Sequence, residues 1–513
     1  MAWLTHAIVE EQSYMTSPRD PSRLSKSRFL SGLQCHKRLY LEVHAPQLAA
    51  EIDDRRQMML DMGKEINEIA HRYFPGGALV AEGHRQSTVA LEKTAALMAD
   101  PAVPAIFEGA FQFEGTLVRV DVLERVDESW RLIEVKAASR VKSVHRDDLA
   151  VQTHVLRGNG LKLSGISLMR VNRQYAYPGG DVDLQQLFVV EDLTEAIQEK
   201  LPDIPPRLDE MRAMLVQSHV PVVEPDHHCH SPYECPFWSH CTATKPARWI
   251  YYLPGRKDLV RRLRQQGIET IDEIPARVSL PHLQQRVREN VEWMSPKLAG
   301  KLQSIRYPVH HLDFETVMPA VPLYAHTQPY QPIPIQWSNH TEAEDGTLRH
   351  TAYLATEQKD PREGIAVSLL ESVGEAGSIC VYSEYEHYIV KALAEAVPHL
   401  RKDLLRVGER LWDLLEVLQN HYYHPDFQGS FSIKSVLPAL VPSLDYGDLA
   451  IKDGATASAM YHRMMFVVTD WVERQRLESA LLAYCARDTL GMVELRRVLS
   501  QKVQSATAPR RPT

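Results

Sequence analysis

Residues 117–138, LVRVDVLERVDESWRLIEVKAA, decide the fold that we predict for the first part of the chain. Apolar and polar side chains alternate on both sides of an Asp-Glu-Ser turn, which is typical of two neighbouring β-strands. Similar turn signals bound the elements around them. We predict three strands, a helix and a fourth strand over 105–114, 116–124, 131–138, 147–157 and 166–171. Strands followed by a helix and another strand indicate an α/β domain.

The length of the chain, 513 residues, exceeds what one ordinary hydrophobic core accommodates, so we predict a multidomain α/β protein. A second strand-rich series begins near residue 307 and ends in a long helix over 474–500. We predict a flexible N-terminus, a first α/β domain, a basic helical connector, a second α/β domain and a disordered tail, at 1–21, 22–245, 246–306, 307–503 and 504–513.

The composition is that of a soluble globular protein, with 44% hydrophobic and 24% charged residues. The N-terminal residues contain no apolar run typical of a signal peptide, and no uncharged apolar window approaches the about 18 residues of a membrane span. We therefore expect a cytoplasmic protein with no membrane partner.

The charge distribution leaves two interpretations open. The net charge of −8 argues against a nucleic-acid partner, because phosphate contacts need clustered Lys and Arg. Residues 245–306, however, contain 13 Lys and Arg against 6 Asp and Glu, a local balance of +7. This segment could be a nucleic-acid footprint or the solvated helical face of a linker domain.

Four of the six cysteines are candidate metal ligands. Cys229, Cys235 and Cys241 lie close together in sequence, and Cys35 lies far upstream in GLQCHKRLYLE. Clustered cysteines in a cytosolic protein bind metal more often than they form disulfides. The spacing permits an iron–sulfur cluster, a zinc site or three unligated thiols, and four nearby histidines could serve zinc: His227, His228, His230 and His240.

The strand series contains a first group of candidate catalytic residues. Asp121 lies in LVRVDVLE, and alternation places Glu134 and Lys136 on one face of the next strand. Carboxylates that hold Mg²⁺ or Mn²⁺ beside a lysine that offsets charge suit phosphodiester hydrolysis. Surface carboxylates and an edge lysine are the alternative interpretation.

With a helix histidine upstream and a helix glutamine downstream, the segment 22–245 resembles the PD-(D/E)XK nucleases, in the RecB-like branch that includes CRISPR-associated iron–sulfur nucleases. Five residues follow the order of that family's site: His71, Asp121, Glu134, Lys136 and Gln152. The resemblance implies that His71, Asp121 and Glu134 bind the catalytic metal. Leu156 departs from the family, which prefers Tyr at that position.

The same resemblance bears on the cysteines. That family has one early and three late cysteines around its nuclease domain, which implies that Cys35, Cys229, Cys235 and Cys241 hold a 4Fe-4S cluster. The late cysteines are more widely spaced here than the family's Cys-x-x-Cys start.

HHLDFETV and LLAYCARDTLGM carry a second group of candidates. Asp313 and Glu315 lie two apart on a strand, and Tyr484 and Asp488 lie one helical turn apart. Two like charges on one strand face repel unless a cation lies between them. The segments resemble RNase-H-like DEDD exonucleases of the DnaQ type, which use two metals. The family's middle Asp is replaced here by Glu386.

Glu384 and Asp413 are rivals of Glu386 for the third carboxylate. The C-terminal half also resembles a bacterial domain of unknown function that follows RecB-like nuclease domains. If Glu386 is the ligand, its longer side chain predicts a slow second site that prefers Mn²⁺.

Together the resemblances imply a restriction-endonuclease-like domain and an RNase-H-like domain that act as a DNA exonuclease in repair, recombination or defence. The expected cofactors are Mg²⁺ or Mn²⁺ and a 4Fe-4S cluster. The expected partner is DNA, as single strands or duplex ends, with a helicase as a further candidate. The alternatives are a nucleic-acid-binding or scaffold protein with degenerate sites, and a zinc-stabilised structural module.

Overall fold

The computed structural model describes residues 22–255 and 257–507. The predicted flexible N-terminus, 1–21, lies outside the described residues. The chain is a mixed α/β protein with two compact units. The first unit contains residues 22–52, 60–175 and 181–244, and the second contains 53–59, 176–180 and 245–507. Among the described helices, none is both long enough and apolar enough to cross a membrane.

The first unit is built on a seven-stranded mixed sheet with the order β2-β3-β4-β5-β6-β7, and β1 pairs with β4. The strands are β1 Leu24–Ser25, β2 Ala78–Leu79, β3 Ala105–Phe113, β4 Thr116–Val126, β5 Ser129–Lys136, β6 Leu163–Val171 and β7 Phe188–Asp192. The helices up to residue 244 are α1 Lys26–Gln34, α2 His36–His44, α3 Asp54–His71, α4 Ser87–Ala99, α5 Ser143–Gly158, α6 Leu184–Leu187, α7 Thr194–Gln198, α8 Ile204–Leu215 and α9 Trp238–Thr242.

The predicted strands and helix of this unit are confirmed, with shifted ends. Strand β5 stops at Lys136, because the backbone turns there and Ala138 N–H donates to the Lys136 carbonyl at 2.7 Å. Strands β5 and β6 are parallel, so the chain between them must cross the sheet, and α5 makes that crossover. The crossover places α5 against the strands that carry the first group of candidate residues.

The second unit is built on a five-stranded mixed sheet with the order β11-β10-β9-β12-β13. Its strands, with a separate two-stranded pair of β8 and β14, are β8 Trp293–Met294, β9 Val309–Val317, β10 Ile333–Glu342, β11 Leu348–Leu354, β12 Ile379–Val381, β13 Leu411–Asp413 and β14 Tyr422–Tyr423. Its helices are α10 Lys257–Gln265, α11 His282–Glu289, α12 Leu298–Gln303, α13 Arg362–Val373, α14 Tyr385–Ala396, α15 Arg401–Gly408, α16 Leu414–His421, α17 Ile433–Leu440, α18 Gly454–His462 and α19 Trp471–Thr507.

The central strand β9 separates an apolar face from a polar face. Leu312 and Phe314 join the hydrophobic core formed with α13, α14 and α15. Their neighbours alternate to the other face, where the Cys485 thiol of α19 donates to Asp313 Oδ2 at 3.4 Å. The predicted alternation of HHLDFETV is therefore confirmed, and it presents Asp313 and Glu315 to the same side of the sheet.

The basic segment 246–306 packs within the second unit. Strand β8 of this segment pairs with β14, and Tyr422 Oη donates to Glu292 Oε1 at 2.5 Å. Two of its arginines make contacts within the segment. Arg248 donates to Asp272 at 2.9 Å, and the Arg286 guanidinium lies 3.4 Å from the centre of the Trp293 ring. These contacts favour a structural role for several of the basic residues over a nucleic-acid footprint.

The long C-terminal helix predicted over 474–500 is confirmed as α19, which reaches Thr507. The first residues of the predicted tail therefore continue the helix. Pro509 follows two positions later, and the residue before a proline disfavours helical backbone. The remainder of the tail lies outside the described residues.

Candidate metal centres

The first centre is a buried group of carboxylates and lysines in the first unit: Lys26, Asp121, Glu134, Lys136, Asp148 and Gln152. Glu134 on β5 is fully buried. Gln152 Nε2 donates to Glu134 Oε2 at 2.7 Å, and Lys136 Nζ contacts Glu134 Oε1. Lys136 also reaches Asp148 Oδ2 at 2.8 Å. The structure thus brings together Glu134, Lys136 and Gln152, as the sequence predicts.

Asp121 on β4 joins the same group. Its Oδ2 accepts a hydrogen bond from the Val135 backbone N–H at 2.8 Å, which fixes the carboxylate beside β5. Burial raises the pKa of Asp121, and Lys26 and Lys136 partly offset that rise. Asp121 therefore lies beside β5 and within 4 Å of Lys26, and its role as a metal ligand stays a prediction.

Two members of the first centre escaped the sequence analysis. Asp148 lies one helical turn before Gln152 on α5 and accepts from Gln152 Nε2 at 2.9 Å. Lys26 begins α1 and lies 3.1 Å from Glu134 Oε1. The helical period could have revealed Asp148, whereas Lys26 lies 108 residues from Glu134 and carries no local signal.

The ionisation of the first centre is balanced by its own lysines. Burial and Asp121 oppose ionisation of Glu134, but Lys136 and Lys26 outweigh them and lower its pKa. Burial likewise opposes the charge of Lys136, but the surrounding carboxylates raise its pKa well above the usual value. Glu134 is consequently held as a carboxylate among protonated lysines.

His71 ends α3 and stacks on Phe107 of β3, with ring centres 4.2 Å apart. Burial lowers the pKa of His71, which favours the neutral ring, and its buried Nε2 has no hydrogen-bond partner among the described residues. The fully buried Gln152 leaves its Oε1 equally unpartnered. Unsatisfied buried polar atoms are rare, so these two atoms are candidates for a ligand contact.

Glu108 follows Phe107, the residue on which His71 stacks. Its φ of +55° is in the left-handed region, which a glutamate seldom adopts, and such strain often marks functional positions. Its neighbours Phe107 and Gly109 pair with Val122 and Val120, on either side of Asp121, and Glu108 raises the pKa of Asp121 further after burial. Asn67 on α3 donates to Glu108 Oε1 at 2.8 Å. Glu108 is thus a further carboxylate that the sequence analysis missed.

The second centre lies in the second unit and comprises Asp313, Glu315, Glu386, Tyr484, Cys485 and Asp488. Ligand atoms of Asp313, Glu315 and Cys485 all lie within 4.8 Å of one another. Glu386 lies in the first turn of α14, and Asp488 lies on α19; both side chains are buried. Strand β9 and the helices α14 and α19 therefore carry the residues of the predicted second site.

Burial raises the pKa values of all four carboxylates of the second centre, and neighbouring carboxylates add to the rise at Asp313 and Glu315. Burial and Asp488 raise the pKa of Glu315 to about 8. Burial raises the pKa of Glu386 to about 7 and that of Asp488 to about 6. Burial, Asp488 and Glu315 raise the pKa of Asp313 well above its usual value. Three buried carboxyls and the partly buried Asp313 thus have raised pKa values, and a divalent cation relieves this condition.

One lysine and a second tyrosine support the second centre. Lys434 on α17 donates to Tyr484 Oη at 2.8 Å and lies 5.6 Å from the centre of the Tyr446 ring. Tyr446 Oη donates to Asp488 Oδ1. Neither Lys434 nor Tyr446 was among the predicted site residues. They fix the positions of Tyr484 and Asp488.

The rivals of Glu386 occupy other positions. Asp413 caps the N-terminus of α16, where its Oδ1 accepts from Leu415 N–H at 2.8 Å. Glu384 precedes α14 without a side-chain capping bond. Glu386 instead accepts from the Ser383 hydroxyl at 3.1 Å and raises the pKa of Asp313. The geometry favours Glu386 as the third carboxylate.

The four predicted cluster cysteines lie within electrostatic reach of one another. Burial raises the pKa of Cys229, and Cys35 and Cys241 raise it further. Burial also raises the pKa of Cys235 to about 11, with contributions from Cys229 and Cys35. Gln34, next to Cys35, donates to the His228 carbonyl at 2.7 Å. Within the described part of the chain, these cysteines do not form a close-set ligand group like that of the second centre.

Comparison with known proteins identifies one region. A family model described as a domain of unknown function, DUF2779, matches residues 310–432. The match includes Asp313, Glu315 and Glu386, whereas Tyr484 and Asp488 lie beyond it. A search of curated proteins finds no match.

Proposed function

We propose that this chain is a metal-dependent nuclease that hydrolyses phosphodiester bonds at the ends of DNA strands. The observation that carries the proposal is the second centre, where Asp313, Glu315, Glu386 and Asp488 meet in a buried site with raised pKa values. Carboxylates in this state suit hard divalent cations such as Mg²⁺ and Mn²⁺.

The fold supports the same proposal. The first two carboxylates lie on the central strand of a five-stranded mixed sheet, the third lies in the first turn of the helix after β12, and the last lies on α19. This order along the chain is the one expected from the resemblance to RNase-H-like DEDD exonucleases. We assign the second unit to that fold as part of the proposal.

The four carboxylates would hold the ions, which lower the pKa of water and offset charge on the phosphate when bound. The remaining chemistry belongs to the chain. Tyr484 Oη accepts from Lys434 and lies one helical turn before Asp488, so it can orient a water molecule at the centre. The Lys434 ammonium provides a positive charge for the substrate phosphate.

We propose that the first centre is a second nuclease site, of the PD-(D/E)XK type. Asp121, Glu134 and Lys136 lie together, and the unpartnered Gln152 Oε1 and His71 Nε2 offer further polar contacts. The carboxylates of this centre suit a divalent ion, and the ammonium groups of Lys26 and Lys136 already contact them.

The test is metal-dependent release of nucleotides from end-labelled single-stranded DNA by the full-length protein. We expect release with Mn²⁺ or Mg²⁺ and none with a chelator. Glu134→Gln isolates the second centre, and Asp488→Asn in that background should abolish the remaining release. Asp448→Asn is the matched control, because Asp448 is exposed and pairs with Arg487, the neighbour of Asp488. Absence of release by the wild type with either metal would contradict the proposal and favour a nucleic-acid-binding protein.

We further propose that Cys35, Cys229, Cys235 and Cys241 hold a 4Fe-4S cluster, supported by their electrostatic proximity. Anaerobically purified protein should contain about four irons per chain. Cys241→Ser should lose iron. Cys380→Ala, a change at a buried cysteine of the second unit, should retain it. Stoichiometric zinc without iron would instead support the structural zinc site.

A further inference from the structure

The ammonium group of Lys26 lies among three carboxylates of the first centre. Its Nζ is 3.1 and 3.3 Å from the two oxygens of Glu134, 3.6 Å from Asp148 Oδ1 and 3.9 Å from Asp121 Oδ1. Among the described residues, Lys26 is the one cation that contacts all three carboxylates within 4 Å. This amine therefore occupies the position where the carboxylates converge.

The backbone at Lys26 is held in place by β-sheet pairing, whereas its side chain can rotate away from the carboxylates. Leu24 and Ser25 pair in parallel with Thr116 and Leu117 of β4, and the Ser25 hydroxyl caps α1. The Lys26 side chain has four methylenes with rotatable bonds and is 21% exposed, so it already borders solvent. Lys136, by contrast, extends from the same strand as Glu134.

A divalent ion would need the oxygens that Lys26 contacts. Mg²⁺ binds oxygen at about 2.0–2.1 Å, so an ion held by these carboxylates would lie within the space of the Lys26 ammonium. Two cations so close repel strongly in a buried site of low dielectric. The carboxylates can therefore hold the lysine or the ion at that point, and not both.

We propose that Lys26 is a built-in competitor of the metal ion in the first centre, which binds the ion only when the Lys26 ammonium withdraws from the carboxylates. The inference rests on the proposed role of the first centre as a metal site. Lys26 stabilises the metal-free centre, and it sets the concentration of metal at which the centre is loaded.

The test measures metal affinity in the full-length protein, independently of nuclease activity. The background carries Asp313→Asn and Asp488→Asn, so that the second centre does not bind the probe. Mn²⁺ binding is followed by the loss of the free-ion paramagnetic resonance signal. Lys26→Met should bind Mn²⁺ at least about tenfold more tightly than the background protein, because the competing charge is gone.

Two controls accompany this variant. Lys26→Arg keeps a cation at the position and should retain the weak affinity. Lys200→Met removes a lysine that pairs at 2.6 Å with Asp147, the neighbour of Asp148, and should leave the affinity unchanged. An affinity of Lys26→Met that equals or falls below that of the background protein would overturn the inference.

A measurement on unaltered Lys26 covers the case in which Lys26→Met does not fold. Labelling by an amine-reactive reagent, located by mass spectrometry, should be slow at Lys26 without metal and faster with Mn²⁺. A labelling rate that metal leaves unchanged or reduces would also overturn the inference. If neither the background protein nor Lys26→Met binds Mn²⁺, the proposed metal site itself fails. If the background protein and Lys26→Met bind Mn²⁺ equally tightly, only the proposed role of Lys26 is overturned.

Discussion

The first centre sets two lysines among its three central carboxylates, whereas the second centre, within the described residues, sets one lysine beside four. The pKa values follow this difference. Lys136 and Lys26 outweigh burial and lower the pKa of Glu134, while burial and Asp488 raise that of Glu315 to about 8. A buried site can thus neutralise its acids with its own side chains or leave that role to an external cation. We expect the two centres to differ most in how they respond to metal.

The largest expected effect tests whether the second centre needs all its carboxylates. In a Glu134→Gln background, Asp313→Asn should reduce the rate of nucleotide release by at least about a hundredfold, since a displaced reacting group alone can cost that much. The measurement is the single-turnover rate with saturating Mn²⁺. A loss of less than about tenfold, or about 1.4 kcal/mol, would show that Asp313 is not a principal ligand.

The second prediction concerns stability in the absence of metal. Groups whose pKa is raised in the folded state stabilise the fold below their unfolded pKa, and that stability is lost as the pH rises through the folded value. The window runs from about pH 4.5 to about pH 8 for Glu315 and from about pH 4.5 to about pH 7 for Glu386. The melting temperature in chelator should therefore fall across this range, and Mn²⁺ should restore it at pH 8.

The Asp313→Asn variant should affect stability and activity in opposite directions. Asp313→Asn removes one of the repelling charges, so it should raise the melting temperature in chelator at pH 8 by a few degrees, equivalent to about 1 kcal/mol or more. At pH 5 the effect should be small. A lower melting temperature at pH 8 would mean that the carboxylates are already compensated, as they are in the first centre.

The third prediction addresses the single lysine of the second centre. Lys434→Met removes the donor to Tyr484 and should lower the rate by about tenfold to a hundredfold, within the range of a lost positioning or charge-stabilising contact. Metal affinity should not fall, because the amine is a cation and not a ligand. A weaker affinity for Mn²⁺ would place Lys434 in a structural role instead.

The smallest effect is expected at the rival carboxylate. Asp413→Ala removes the cap of α16 and should cost about 1 kcal/mol of stability in thermal unfolding. Nucleotide release should stay within about twofold of the wild type, well below the change of about 1.4 kcal/mol in barrier that a tenfold loss represents. A dominant loss of activity would exchange the roles of Asp413 and Glu386.

The sequence predicted those parts of the site that follow a local period. Asp313 and Glu315 share a strand face, and Tyr484 and Asp488 share a helix face, because periods of two and about 3.6 residues act over a few positions. The strands β3, β4, β5 and β6 of the first sheet were predicted on the same basis, whereas β1, β2 and β7 were not. The ends of the predicted strands shifted where hydrogen bonds such as that between Ala138 and Lys136 end the strand.

The missed residues are those that tertiary structure brings in from a distance. Lys26 and Lys434 lie in segments without a catalytic motif, and only the folded chain places them 3.1 Å from Glu134 and 2.8 Å from Tyr484. Glu108 was missed because no local sequence pattern predicts its left-handed backbone. The predicted position of His71 on a helix is confirmed, and its ring stacks on Phe107. Its role as a metal ligand stays a prediction.

The position of α19 has a consequence for the order in which the protein is made. The Cys485 thiol contacts Asp313, which precedes it by 172 residues, so the ribosome completes the sheet long before it adds the last ligands. Chains fold largely as they emerge, from the N-terminus onward. A nascent chain that ends before Asp488 exposes the polar face of β9 and lacks a complete second centre. Synthesis itself therefore delays completion of the second centre until α19 has been made.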